Sequence, residues 1–148
     1  MSSLVENRKA TFNYEILEKY EAGVELSGAE VKSIRSGHGS LEGAHVIIRG
    51  GEAFLVGATV PPYQVGNTPE SYDSMRTRKL LLTKKEIGEL ANEESKKGLT
   101  IIPLSLYSKG RRIKLSFAVA KGKKKFDKRE TIKKRETDRE VRRDFKVH

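Results

Sequence analysis

"HVIIRGGEAFLVGATV", residues 45–60, places two β-rich runs on either side of Gly50-Gly51. Two glycines between runs rich in Val, Ile and Phe are a strong local signal for a β-hairpin. The same signal recurs downstream. Ile113, Leu115, Phe117 and Val119 alternate with Lys114, Ser116 and Ala118, a period of two that belongs to a strand with one buried face. The apolar run Leu99 to Tyr107 precedes it, and Lys109-Gly110-Arg111 lies between as a turn. Upstream, Phe12, Tyr14 and Ile16 alternate with Asn13 and Glu15, and Val24 and Leu26 flank Glu25, so both segments read as strands.

Two helices fit between these runs. Ser27-Gly-Ala-Glu30 and Thr83-Lys-Lys-Glu86 have capping-box spacing, with Leu26/Val31 and Leu82/Ile87 as the matching hydrophobic staples. Gly37 and Gly98 stand where such helices end. The stretch from 60 to 71 carries three of the four prolines and is a loop. Arg76, Arg78 and Lys79 then lead into the apolar Leu80-Leu81-Leu82. About six strands and two helices, with hairpins dominant, predict a small closed antiparallel barrel carrying peripheral helices.

The pattern changes after residue 120. Lys121 to His148 hold 13 Lys or Arg against 6 Asp or Glu, a net of +7, whereas the first 120 residues have a net of +3. The apolar residues of this segment form no helical stripe, and pairs such as Arg135–Arg139 repel at i,i+4. The expected organisation is a domain over 1–120 and a basic tail over 121–148 that is disordered when free and folds against a polyanion.

Composition narrows the function. A net charge of +10 over 148 residues points to nucleic acid as the partner. The chain has no Cys, which excludes thiol catalysis and thiolate metal sites and favours a reducing compartment. Its N-terminus lacks the apolar core of a signal peptide, and no apolar run approaches a membrane span, so a cytoplasmic protein without membrane contact is expected. His38, His45 and His148 match no zinc spacing, and "GHGSLEG" (37–43) lacks the lysine of a phosphate loop and reads as a plain turn. Glu30 is most simply a capping residue. These readings predict no enzyme activity, no metal and no cofactor. Arg76, Arg78 and Lys79, with Arg111, Arg112 and Lys114, are the basic residues expected to meet RNA, helped by Tyr63 and Tyr72 nearby.

The blocks "NRKATFNYEILEKYEAG", "GAEVKSIRSG", "RTRKLLL", "GLTIIPLSLY" and "AVAKGKKKFDKRE" together resemble the SsrA-binding protein (small protein B) family, in the family's order from Asn7 to about Arg135. The resemblance implies an oligonucleotide-binding-type barrel and an adaptor of trans-translation. Such an adaptor binds the tRNA-like domain of transfer-messenger RNA and delivers it to stalled ribosomes. The tail then enters the decoding centre and the empty mRNA channel. By the same resemblance, Asn7, Glu21, Lys79 and Leu81 lie on the RNA-binding face, joined by Thr83 where relatives often carry Asn or His. Lys121, Lys123, Lys124, Phe126, Asp127, Lys128 and Arg129 would act on the ribosome. The elongation factor that carries aminoacyl-tRNA would be an indirect partner, and the protein would act as a monomer. The alternative from a basic barrel alone is a general RNA chaperone.

Overall fold

The computed structural model describes residues 3–64, 66 and 68–123. The expectations for Lys124, Phe126, Asp127, Lys128 and Arg129, and for the tail's conformation, lie outside the described residues.

The hairpin at Gly50-Gly51 forms as its sequence predicts. β3 (His45–Arg49) and β4 (Glu52–Val56) pair from Arg49↔Glu52 out to His45↔Val56. Both turn glycines have positive φ, +60° and +75°, the conformation that a two-residue hairpin of this hand requires and that side chains disfavour. Val46, Ile48, Ala53 and Leu55 point inward and are buried.

The second hairpin joins β6 (Leu99–Lys109) to β7 (Arg112–Gly122). Both strands outrun the simple alternation. β7 is central, with β6 on one side and β2 (Tyr14–Val24) on the other, and its ladder to β2 continues through Lys121 and Gly122. Phe117, Ala118, Val119 and Ala120 are buried in succession, so both faces of β7 are covered at that end. The cover on the outer face is α1 (Ala10–Asn13), where Ala10, Ile102 and Ala120 make a small satellite core.

α1 corrects one expectation, because Phe12 and Asn13 are helical rather than extended. The two strands read from Phe12 and from Val24 are instead one 11-residue strand, interrupted by a bulge between Ile16 and Glu18. The bulge shifts the alternation by one residue and leaves Leu17 exposed, which hid the strand's continuity in the sequence.

β1 (Ser3–Glu6) and β5 (Arg78–Leu81) complete the sheet, whose order is β1-β6-β7-β2-β5-β4-β3, every pair antiparallel. The sheet curls so that β3 packs against β6, which makes it a barrel. Side-chain packing makes this closure, since no ladder joins β3 to β6 among the described residues. Ile34, Leu41, Leu55, Leu80, Leu90, Leu115 and Phe117 fill the interior, each contributing about 1.5–3 kcal/mol.

α2 (Gly28–Arg35) and α3 (Lys84–Glu94) lie outside the barrel, and both capping boxes are formed. α3 also protects the open edge. The Ile48 amide of β3 donates to the Glu94 carboxylate at 2.9 Å, and Arg49 pairs with the same group at 2.7 Å. An edge amide capped by a side chain no longer invites a second sheet.

Candidate nucleic-acid interface

Inward Leu115 and Phe117 send Lys114 and Ser116 to the outer face of β7. The strand register then sets what stands beside them. Lys114 lies between Tyr107 of β6 and Gly23 of β2, with Leu81 of β5 beyond Gly23. Ser116 lies between Ser105 of β6 and Glu21 of β2. Three grooves follow this face. One of about 500 Å³ is lined by Glu21, Tyr107 and Ser116. A second, of about 670 Å³, is lined by Asn7, Arg8 and Thr11 and shares Lys19 and Ser105 with the first. A third, of about 490 Å³, holds Leu81, Arg111, Arg112 and Lys114. Lys114 also reaches Glu21, linking the third groove to the first. Asn7, Glu21 and Leu81, far apart in the sequence, thus line one trough.

Glu21 is its electrostatic centre. Its carboxylate accepts from Lys109 Nζ at 3.0 Å and lies 3.8 Å from Lys114 Nζ. The Tyr107 hydroxyl and Lys109 donate to it, which holds the Glu21 carboxyl below its ordinary range. Burial and then the hydrogen bond to Glu21 push the Tyr107 hydroxyl well above its ordinary range. One acid therefore orders two lysines and a tyrosine.

Leu81 is an apolar side chain left 53% exposed in the middle of a basic surface. It packs over Gly23, where an added Cβ would come within 3.3 Å of Leu81 Cδ1. The pair presents a smooth apolar step suited to a base or ribose face. Lys79 is half-buried, and its ammonium pairs with Glu52 at 3.1 Å.

The family model described as SmpB protein matches residues 4–147. The chain belongs to the SmpB protein family. Curated relatives agree. The SsrA-binding protein of Gloeothece citriformis is 48% identical over 143 residues, covering 97% of this chain and 92% of its own. That of Coprothermobacter proteolyticus is 49% identical over 148 residues, covering 99% of both. A solved chain described as "tmRNA-SmpB: a journey to the center of the bacterial ribosome" superposes with a TM-score of 0.71 at 40% identity, covering 84% of this chain and 87% of that one.

Within this SmpB family fold, some residues singled out from sequence do structural work. Arg78, expected among the RNA contacts, is only 1% exposed. Its guanidinium donates to Glu30 at 2.9 Å and to the carbonyls of Ala58, Ser74 and Arg76. Inward orientation on β5 puts it beyond the reach of RNA, while its neighbours Lys79 and Leu81 face out. Glu30 exceeds the role read for it. It caps α2 and also pairs with Arg76 at 2.6 Å and Arg78 at 2.7 Å. Burial would raise the Glu30 carboxyl, but hydrogen bonds from Arg76, the Ser27 amide and Arg78 outweigh it and hold the group below its ordinary range. The loop from 60 to 77 hangs on this cluster, with Val60 bonded to Ser74 and Tyr72 Oη donating to the Val60 carbonyl at 2.7 Å.

Thr83 is the N-cap of α3. Its hydroxyl accepts from the Glu86 amide at 3.2 Å, and Glu86 accepts from the Thr83 amide at 3.1 Å. Thr83→Ala should cost about 1 kcal/mol in stability, read from a denaturant midpoint. If capping is its whole contribution, affinity for RNA stays within two-fold of the parent. A ten-fold loss with unchanged stability would make Thr83 a direct contact.

Asn7 donates its side-chain amide to the Pro103 carbonyl at 2.9 Å, which pins the end of β1 to β6 beside the trough. Lys121 is exposed at the end of β7, between Glu15 and Leu99. Lys123 returns to α1: its amide donates to the Asn13 carbonyl at 2.9 Å and its ammonium to the Thr11 carbonyl at 2.7 Å. The folded unit therefore reaches three residues past Ala120. Among the described residues, no cluster of His, Asp and Glu could hold a metal ion, and no helix is long and apolar enough to cross a membrane.

Proposed function

We propose that this chain is an RNA-binding adaptor of trans-translation. It binds the tRNA-like domain of transfer-messenger RNA along the outer trough and brings it to ribosomes stalled without a codon. It works in the cytoplasm as a monomer, catalyses nothing itself and needs no cofactor. Its basic tail, beginning near Lys121, occupies the decoding centre and the empty mRNA channel, and the elongation factor engages it only through the charged RNA. The observation that carries the reading is the trough itself. In a chain of the SmpB family, Asn7, Glu21 and Leu81 converge on one basic surface, next to the point where the tail departs.

Identifying the RNA that co-purifies with the full chain at moderate salt tests the reading. One dominant RNA with a tRNA-like end supports it, and a broad mixture supports a general chaperone. Glu21→Ala sharpens the test. Removing an acid raises net charge, so simple electrostatics predicts tighter binding. Here the acid orders Lys109, Lys114 and Tyr107, so the expected result is about ten-fold weaker specific binding, as for loss of a charged hydrogen-bond anchor of about 1.5 kcal/mol. Equal or tighter specific binding would refute the role given to Glu21.

A further inference from the structure

The trough is not uniform along its length. At the Glu21 end its lysines are already committed, because Lys109 and Lys114 share one carboxylate. Outside the trough, Lys9 pairs with Glu42 and Lys79 with Glu52. At the junction of the first two grooves the situation is reversed. Lys19 is exposed there and Arg8 is exposed in the second groove, and among the described residues neither makes an ion pair or a side-chain hydrogen bond. Below them stand the half-buried hydroxyls of Ser105 and Ser116, also without a side-chain hydrogen bond among the described residues. Lys19 stands opposite the buried Ala118, at the edge of the part of β7 that α1 covers.

Two uncommitted cations above two uncommitted hydroxyls match the chemistry of a sugar-phosphate backbone, with charge for the phosphate and hydroxyls for a phosphate oxygen or a ribose 2′-OH. The distance fits as well. The open outer face of β7 runs from Lys114 to Ser116, about 7 Å, and the first groove continues past Ser105 into the second, which Asn7 and Arg8 line, room for a few nucleotides.

We infer that Lys19, where the first two grooves meet, and Arg8, beside Asn7 in the second, form a phosphate anchor, and that the bound RNA strand runs from the Glu21 cluster across Ser116 and Ser105 toward Asn7. The inference rests on the adaptor reading above. It adds a direction for the strand and a pair of contact residues beyond those taken from sequence. The Glu21 cluster then orients the RNA through ordered donors, whereas this anchor supplies counterion release.

The test uses the full chain, a transcript of the tRNA-like domain, and titrations over a range of salt concentrations. Lys19→Gln and Arg8→Gln should each weaken binding about five-fold at 0.15 M salt and lower the slope of log K against log salt by about 0.7–0.9. The double variant should lose about 25-fold. Lys19→Arg should restore the slope. Lys97→Gln removes the same charge from an exposed turn that lines none of the three grooves, and it should leave the slope unchanged. All variants should melt with the parent, since the side chains are exposed and make no ion pair among the described residues. Equal effects at Lys19 and Lys97, or an unchanged slope at Lys19 and Arg8, would overturn the anchor. A parent chain that does not prefer the tRNA-like transcript over unrelated RNA would overturn the adaptor reading instead, so the two failures are distinct.

Discussion

Arg78→Ala should lower the melting temperature by about 10–20 °C. The guanidinium and the Glu30 carboxylate are each 1% exposed and lie 2.7 Å apart. Deleting one partner leaves the other charge buried, which typically costs about 3–5 kcal/mol, and a domain of this size loses several degrees per kcal/mol. Arg76 softens the loss, because it still reaches Glu30 at 2.6 Å. Glu30→Ala should be at least as damaging, since it strands Arg78 and also removes the carboxylate half of the α2 capping box, the acceptor for the Ser27 amide. In a double-mutant cycle, Arg78→Ala with Glu30→Ala should cost at least 1 kcal/mol less than the sum of the singles, because no lone charge remains. Additive losses would show that the pair is not coupled. The cluster also has a pH signature. The folded-state pKa of Glu30 lies below its unfolded value. Its contribution is therefore fully present above the unfolded value of about 4.3 and disappears as pH falls through the lower folded value. Glu30→Gln, which can still cap α2, should flatten the stability profile below about pH 4.

Changing Asp127, Lys128 and Arg129 together to Ala should leave both melting temperature and affinity for the tRNA-like domain close to the parent, while reducing peptidyl transfer on codon-less ribosomes by ten-fold or more. The expectation has two grounds. Among the described residues the barrel's strands and ladders end at Gly122, and Lys123 ties the end of β7 to α1, so the fold is expected to stand without the three residues. The basic segment also holds most of the net charge, which suits an RNA-walled channel. Lys128 and Arg129 can engage phosphates, the arginine with two parallel donors, and Phe126 beside them can stack on an unpaired base, worth about 1–3 kcal/mol. A reconstituted transfer reaction, run with an RNA titration and a melting curve, checks all three readouts. Full transfer by the triple variant would remove the segment from the mechanism. A large fall in melting temperature would mean that the tail supports the barrel, and the division of the chain near residue 120 would fail.

Some of this molecule is legible from local chemistry alone. Gly50-Gly51 specifies its hairpin because both positions need positive φ. Ser27 with Glu30 and Thr83 with Glu86 specify helix starts because each pair satisfies amides three residues apart. Ile113 to Val119 specify a strand with one apolar face, and the contrast between +3 and +7 marks where the chain changes character. The family was legible as well, since its motifs are runs of neighbouring residues. Other features follow only from the tertiary structure. Nothing near Arg78 in the sequence separates it from Lys79; the parity of β5 turns one toward Glu30 and the other toward solvent. The bulge after Ile16 breaks the alternation by which β2 could have been read as one strand. The sharing of Glu21 by Lys109 and Lys114, and the meeting of Asn7, Lys19 and Leu81 on one trough, depend on contacts across about 60 to 95 residues of sequence. Such contacts exist only once the sheet has set its register. Short-range hydrogen bonding and hydrophobic period determine the elements, while burial and strand register determine which charges are left for RNA.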